Sequence, residues 1–167
     1  MPGEPGRRET SMGLLTPIAV RVGAISWMPK LLPVIEKTDM RLQRASGGRV
    51  SVLDIAGLPN LVLRVPGRKS GVVRSTPLLC APRDGDFLIA GSYFGNPKMP
   101  AWVHNLRACE TAEIVRDGSA TRVRWRELDG DDRARAWQDL LDVWPNFRLY
   151  EQRTDRVIPV FSLAADD

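Results

Sequence analysis

The chain has 167 residues, 43% hydrophobic and 26% charged, with a net charge of +4, two cysteines and one histidine. That length sustains one domain with a real core, and the composition is that of a soluble globular protein. It sets aside zinc chemistry of the usual ligand type, because His104 stands alone and Cys80 and Cys109 lack metal spacing, and it argues against nucleic acid, because acids and bases interleave after Ile114.

Residues 1–12 are polar, with two prolines and two glycines, and predict a disordered start. Residues 13–46 predict a helical segment. Leu14, Leu15, Ile18, Val22, Ile25 and Trp27 recur at near-helical steps. Pro17, Arg21 and Gly23 interrupt the run, which is too short to span a bilayer and lacks an export cleavage site. Such a helix packs on the domain or lies on a membrane surface through residues 13–30, where Trp27, Met28 and Lys30 suit an interface. Residues 31–44 predict a second helix, stopped by Gly47 and Gly48. Residues 47–167 form the second unit, opening with a strand at 50–55.

The centre of that unit is residues 61–77, LVLRVPGRKSGVVRSTP, which read as strand, tight basic turn, strand. Arg64, Arg68, Lys69 and Arg74 fall within eleven residues that hold no acid. Gly67 and Gly71 allow backbone N–H groups to crowd together. With the Ser70 hydroxyl and two or three cations they would form a cup for phosphate or carboxylate. A solvated hairpin tip explains the same residues. The pattern is neither G-x-x-x-x-G-K-[ST] nor G-x-G-x-x-G, and no G-x-S-x-G is present.

Beyond it, Cys80 reads as a small buried hydrophobe, and two unpaired thiols fit a cytoplasmic setting. A turn at 83–86 leads to a short buried strand at 87–90, a loop at 91–98 and a helix at 100–107. Residues 111–116 and 120–128 predict a hairpin around Asp117-Gly118. Thr121, Val123 and Trp125 alternate with Arg122, Arg124 and Arg126, so one face is buried and one wet. Residues 129–144 predict a helix with Asp129, Asp131 and Asp132 at its start and Ala134, Trp137, Leu140, Leu141 and Trp144 on its buried side. A short helix at 146–153 and a strand at 157–163 follow. Strands outnumber helices and no βαβ unit recurs, so the fold is α+β: a small antiparallel barrel with helices packed around it.

Taken in order, Gly67-Arg68-Lys69-Ser70-Gly71, Arg74-Ser75-Thr76-Pro77-Leu78, Arg83-Asp84-Gly85, Pro100-Ala101-Trp102 with Asn105-Leu106-Arg107, and Arg153 to Arg156 with Ile158-Pro159-Val160 strongly resemble the deazaflavin-dependent nitroreductase family. The likeness runs from about residue 47 to residue 163. It implies a split, FMN-binding-like β-barrel and coenzyme F-420, an 8-hydroxy-5-deazaflavin that donates hydride to quinones, nitro compounds and similar acceptors. By the same resemblance Arg68, Lys69 and Ser70 grip the coenzyme's phosphate and acidic tail. Arg74, Pro77, Ser92, Trp102 and Asn105 make further coenzyme contacts. Trp144, Phe147 and Tyr150 wall the substrate pocket, although from their three-residue spacing alone core packing is the plain reading. Ser92 beside the ring and a Tyr150 hydrogen bond to the acceptor oxygen are the catalytic expectations. Tyr93-Phe94 stands where some members carry Lys-Gly. Hydride transfer needs no protein nucleophile, which agrees with the absence of a triad, a carboxylate pair or a metal motif. An FMN-binding split-barrel oxidoreductase and a non-catalytic deazaflavin or lipid carrier are the competing readings. Monomer and homodimer both stay open.

Overall fold

Strand β1 (Asn60–Pro66) and strand β2 (Val73–Leu79) pair antiparallel across the basic turn, with Leu61 opposite Leu78 and Val65 opposite Arg74. The computed structural model describes Arg41 and residues 57–166. The expectations for residues 1–12, for the helices within 13–46 and for a strand at 50–55 lie outside the described residues, apart from Arg41, which is helical.

Two further hairpins turn on Asp-Gly pairs. Strand β3 (Ala81–Arg83) returns as β4 (Asp86–Ala90) through Asp84 at φ 50° and Gly85 at φ 90°. Strand β5 (Thr111–Arg116) returns as β6 (Ser119–Glu127) through Asp117 at φ 50° and Gly118 at φ 78°. Positive φ at both central residues matches the right-handed strand twist, and Asp-Gly tolerates it. Strand β7 (Val160–Ala165) fills the place between β6 and β4. Among the described residues the sheet has seven strands in the order β2-β1-β5-β6-β7-β4-β3, every neighbour antiparallel.

The two edge strands, β2 and β3, are consecutive in the chain and separated by Cys80 alone. One continuous run therefore forms both edges, and the sheet must curl until they meet. This is a split antiparallel β-barrel, as expected. Strand β3 itself is absent from the sequence-based expectation, because Pro82 and a three-residue length give no strand pattern. Its edge position is where a proline costs no ladder hydrogen bond.

The sheet buries both faces. Inward, Leu61, Leu63, Val65, Ile89, Phe161 and Leu163 pack with Trp102, Val103 and Leu106 of helix α1 (Ala101–Leu106). Outward, Leu88, Ala90 and Val160 meet helix α2 (Gly130–Val143) and helix α3 (Phe147–Gln152). The buried side of α2 is Ala136, Trp137 and Leu140, not Ala134, which is exposed. Arg133 takes the preceding turn of that side, its guanidinium 5.4 Å from the Trp137 ring and donating to the Ile158 carbonyl at 2.9 Å. The arginine row of β6 is exposed and paired: Arg122 and Arg124 to Asp166, Arg126 to Asp132. The ladder registers bring Pro66, Ala90, Thr111, Glu127 and Val160 to one end of the barrel. The candidate site lies there.

Candidate functional site

The basic turn is a closed loop with most of its amides spent. Gly67 N–H donates to the Val72 carbonyl at 2.8 Å and Gly71 N–H to the Gly67 carbonyl at 2.7 Å. Val72 N–H donates to Ser70 Oγ at 3.3 Å, and Arg68 N–H to Asn105 Oδ1 at 3.1 Å. The expected cup of converging amides is thus corrected. Four of the turn's N–H groups hold the hairpin and dock it on α1, because a six-residue loop must first satisfy its own backbone. What the turn presents outward is side-chain charge. Arg68 and Lys69 are exposed at the tip and Arg74 is exposed on β2. None of the three forms an ion pair among the described residues. Arg64 leaves the expected cluster, since Glu113 on the neighbouring β5 takes it in an ion pair of 2.8 Å.

Helix α1 joins this turn to the rest of the site. Asn105 is buried at 7% exposure and its Oδ1 also lies 3.5 Å from Arg68 Nη1. Trp102 is buried edge-on against Phe161, with ring centroids 5.7 Å apart. His104 is exposed on the far side of the helix. Arg74 and Pro77 do not share a face of β2. Arg74 lies opposite inward-facing Val65 and Pro77 opposite outward-facing Val62, as an odd spacing on a strand requires.

The second half of the site is the loop after β4. Gly91 is wedged between α1 and the chain before β7: a Cβ there would come within 2.8 Å of both Val103 and Pro159. Ser92 is buried and makes no capping hydrogen bond to the single 3-10 turn, Tyr93–Gly95, that follows it. Tyr93, Phe94 and Gly95 all stand at positive φ, 47°, 56° and 78°. Three left-handed residues in succession are costly for non-glycine side chains and persist only where the surroundings over-determine them. Here the surroundings include Arg156. Its guanidinium donates to the carbonyls of Gly91, Ser92 and Asn96 at 2.8–2.9 Å, and Nη1 lies 3.7 Å from Met99 Sδ. Burial lowers its pKa from the usual arginine value.

Phe94 carries the loop to the aromatic cluster. Its ring centroid is 5.5 Å from Tyr150, which is 6.0 Å from Phe147, which is 5.6 Å from Trp137. Trp144 Nε1 donates to Tyr150 Oη at 3.2 Å. Trp144, Phe147 and Tyr150 are all core residues, at 5%, 3% and 2% exposure. Burial raises the Tyr150 pKa, against the opposing pull of the Trp144 hydrogen bond and the Arg153 charge, so the phenol is protonated at neutral pH. The structure thus brings Arg68, Lys69, Ser70, Trp102 and Asn105 together as one group. It brings Ser92, Trp144, Phe147 and Tyr150 together as another. Gly91 packed against α1 joins them. Arg156 is the residue that sequence reasoning missed. A cation directly ahead of a buried strand signals that some acceptor must satisfy it, but which carbonyls do so is set by the fold.

A hollow of about 340 Å³ opens at the other end of the barrel, lined by Phe87, Ile114, Arg116, Val123 and Leu163 among others. It contains none of the residues just described. Among the described residues no helix is long and apolar enough to cross a membrane, and no three His, Cys, Asp or Glu side chains cluster as metal ligands.

Three comparisons bear on this geometry. The family model for F420H(2)-dependent quinone reductase matches residues 35–165. An F420H(2)-dependent quinone reductase of Mycobacterium tuberculosis is 35% identical over 126 residues, 73% of this chain and 84% of that protein. A solved F420-H2 dependent reductase superposes with a TM-score of 0.59 at 31% identity, covering 63% of this chain and 93% of that one. A second structure, described as a domain-swapped dimer, gives a TM-score of 0.61 at 29% identity, covering 78% of this chain and 96% of the other.

Proposed function

The chain belongs to the F420H(2)-dependent quinone reductase family, and from that premise we propose that it reduces quinones, and nitro compounds of similar acceptor character. It is an oxidoreductase whose cofactor is coenzyme F-420. The observation that carries the reading is the exposed set Arg68, Lys69 and Arg74, without an ion pair among the described residues, at the same barrel end as the strained Ser92 loop.

The residues present fit the coenzyme. Its phosphate and glutamate tail need cations that are not already neutralised, and Arg68, Lys69 and Arg74 meet that need while ion-paired Arg64 does not. When bound, the coenzyme supplies the hydride. The protein's share is position and dryness. In the proposed site Arg68, Lys69 and Ser70 hold the tail, Arg74 extends that hold on its face of β2, and Pro77 makes its contact from the opposite face. Asn105 fixes the turn on α1 beside Trp102. Ser92 and its loop border the ring. Trp144, Phe147 and Tyr150 back the acceptor side through Phe94, and the protonated Tyr150 phenol donates toward the acceptor oxygen. Apolar walls keep water from competing for the transferred hydride.

The test is a titration with reduced coenzyme F-420, followed by protein Trp fluorescence, then addition of menadione with reoxidation read near 420 nm. Saturable binding that Lys69→Ala weakens about tenfold, the scale of one charge-assisted contact, is the expected result. Reoxidation must outrun a protein-free control, and Tyr150→Phe must lower kcat/KM. Saturable binding without turnover of any quinone would instead mark a carrier, and preference for FMN would mark a flavin enzyme on the same barrel. The domain-swapped relative suggests a homodimer, which light scattering reads directly. Delivery of a lipid-soluble quinone through membrane contact of residues 13–30 is read by vesicle sedimentation with and without residues 1–28.

A further inference from the structure

We propose that Arg156 is a positioning residue for the reaction: its guanidinium clamps the Ser92–Asn96 loop, left-handed at Tyr93–Gly95, in the shape that borders the coenzyme ring, without touching coenzyme or acceptor. This rests on the functional reading above and names a part of the site that the family likeness did not assign.

Three observations carry it. First, the contacts are divided without redundancy. Arg156 Nε donates to the Asn96 carbonyl at 2.9 Å, Nη1 to Gly91 at 2.9 Å and Nη2 to Ser92 at 2.8 Å. One rigid plane thereby fixes both ends of the loop and the backbone of Ser92 between them. Only a guanidinium offers that fork; an ammonium is a single point with flexible reach. Second, apart from the 3.7 Å contact of Nη1 with Met99 Sδ the guanidinium serves backbone carbonyls, and Arg156 forms no ion pair among the described residues. A half-buried cation spent on three carbonyls is an expensive way to hold an ordinary surface loop. Third, the loop needs holding. Tyr93 and Phe94 sit at φ 47° and 56°, where each side chain is strained, and in that shape the Phe94 ring lies 5.5 Å from Tyr150. The internal bonds that define the turn, Gly95 N–H to the Ser92 carbonyl and Asn96 N–H to Tyr93, are both 2.9 Å and local. They close the turn but do not anchor it. Arg156 is also well anchored itself, because Gly91 N–H donates to Pro159 three residues further on, at 2.9 Å. The loop and the clamp thus form one two-stranded contact at the barrel end.

Arg156→Lys keeps the charge and loses the fork; Arg156→Ala loses both. In the coenzyme-free protein, hydrogen exchange at the Gly95 and Asn96 amides is expected to speed up about tenfold or more in both variants, while core strand amides keep their protection. With coenzyme and menadione, kcat is expected to fall at least about tenfold, the scale of a misplaced reacting group, while the coenzyme Kd stays within about threefold. Guanidinium ion at low millimolar concentration restores part of the lost kcat in Arg156→Ala and none in Arg156→Lys, where the ammonium fills the space. Unchanged exchange at Gly95 and Asn96, or kcat unchanged in both variants, overturns the clamp. So does a loss of thermal stability with kcat per bound coenzyme unaltered, which marks a purely structural arginine. Should Arg156→Ala not fold, Arg156→Lys decides alone. A wild-type protein that neither binds coenzyme nor turns over menadione counts against the functional reading, and the exchange result on the same sample still judges the clamp.

Discussion

Asn105 is the residue on which the coenzyme end of the site turns. Its Oδ1 is the acceptor for the Arg68 amide, so one buried side-chain oxygen sets where the basic tip stands relative to α1. Removing it leaves an amide that water can reach, since Arg68 is exposed, and the stability cost is therefore small, about 1 kcal/mol. Asn105→Ala is expected to lower Tm by only a few degrees but to weaken coenzyme binding about fivefold, because the cations are no longer held in one arrangement. Asn105→Asp separates geometry from charge. It keeps the acceptor oxygen, so the turn stays docked, but it places a carboxylate beside Arg68 and competes with the anionic coenzyme. Its defect should shrink as salt is raised, whereas that of Asn105→Ala should not. Equal salt dependence in the two variants would count against the docking role. Residue types alone pointed to this cluster because four cations without an acid are visible in the chain. That Arg64 is lost to Glu113 was not visible, since the partner lies 49 positions away on a strand whose pairing only the fold decides.

At the scale of elements, the loops divide into those the local chain dictates and those the packing dictates. The Asp117-Gly118 turn belongs to the first kind. A Cβ on Gly118 meets nothing within 4 Å, so Gly118→Ala is expected to cost only its left-handed strain, about 1 kcal/mol. The Ser92 loop belongs to the second. A Cβ on Gly95 would come within 2.7 Å of both the Tyr150 carbonyl and Arg153 Cβ, on a backbone already at φ 78°. Gly95→Ala is expected to cost about 3 kcal/mol or more, as strain and overpacking add, and to separate Phe94 from Tyr150. Urea denaturation of the two variants checks the contrast; equal losses would show that the loop yields freely. The same division explains what was legible beforehand. The turn at Asp84-Gly85, the hairpin at Asp117-Gly118, the α2 helix and a last strand, found at Val160–Ala165 and expected at 157–163, follow from turn chemistry and periodicity within a dozen residues. The Tyr93–Gly95 turn and the clamp by Arg156 depend on contacts between distant segments, and no local pattern announces them; β3 pairs with its chain neighbour β4, but three residues around Pro82 carry no strand pattern. On α2 the apolar count pointed to Ala134, but Arg133 laid over Trp137 takes that turn with its own stem and guanidinium, and Ala136 is buried in its place.

The whole barrel closes at Cys80. That residue separates β2 from β3, the two edges of the sheet, and its N–H donates to the Pro59 carbonyl at 3.0 Å. Its side chain is fully buried in the inner core, and burial pushes the thiol pKa up from 9.0 to about 12, with Arg116 opposing. A thiolate at this seam would have no water and no adequate cation, so the folded barrel resists ionisation that the unfolded chain accepts. The direction of the linkage follows. With the folded pKa above the unfolded one, the unfolded chain binds fewer protons from pH 9 upward, and stability falls as pH rises through that window. Below pH 9 the contribution is fully present. Three pKa units set a ceiling on the order of 4 kcal/mol at pH 12. Cys80→Ala removes the titration while leaving a small cavity. It is expected to be less stable than the parent at pH 7, by about 1–2 kcal/mol, and to lose less stability between pH 9 and 11. The two melting curves should therefore converge as pH rises. Tyr150, also pushed up by burial, steepens the fall above pH 10 in both proteins alike and cannot produce the convergence. Parallel Tm–pH curves for parent and variant would show that the seam opens to water before the thiol ionises, and that the barrel is not closed at Cys80 in the way the strand order requires.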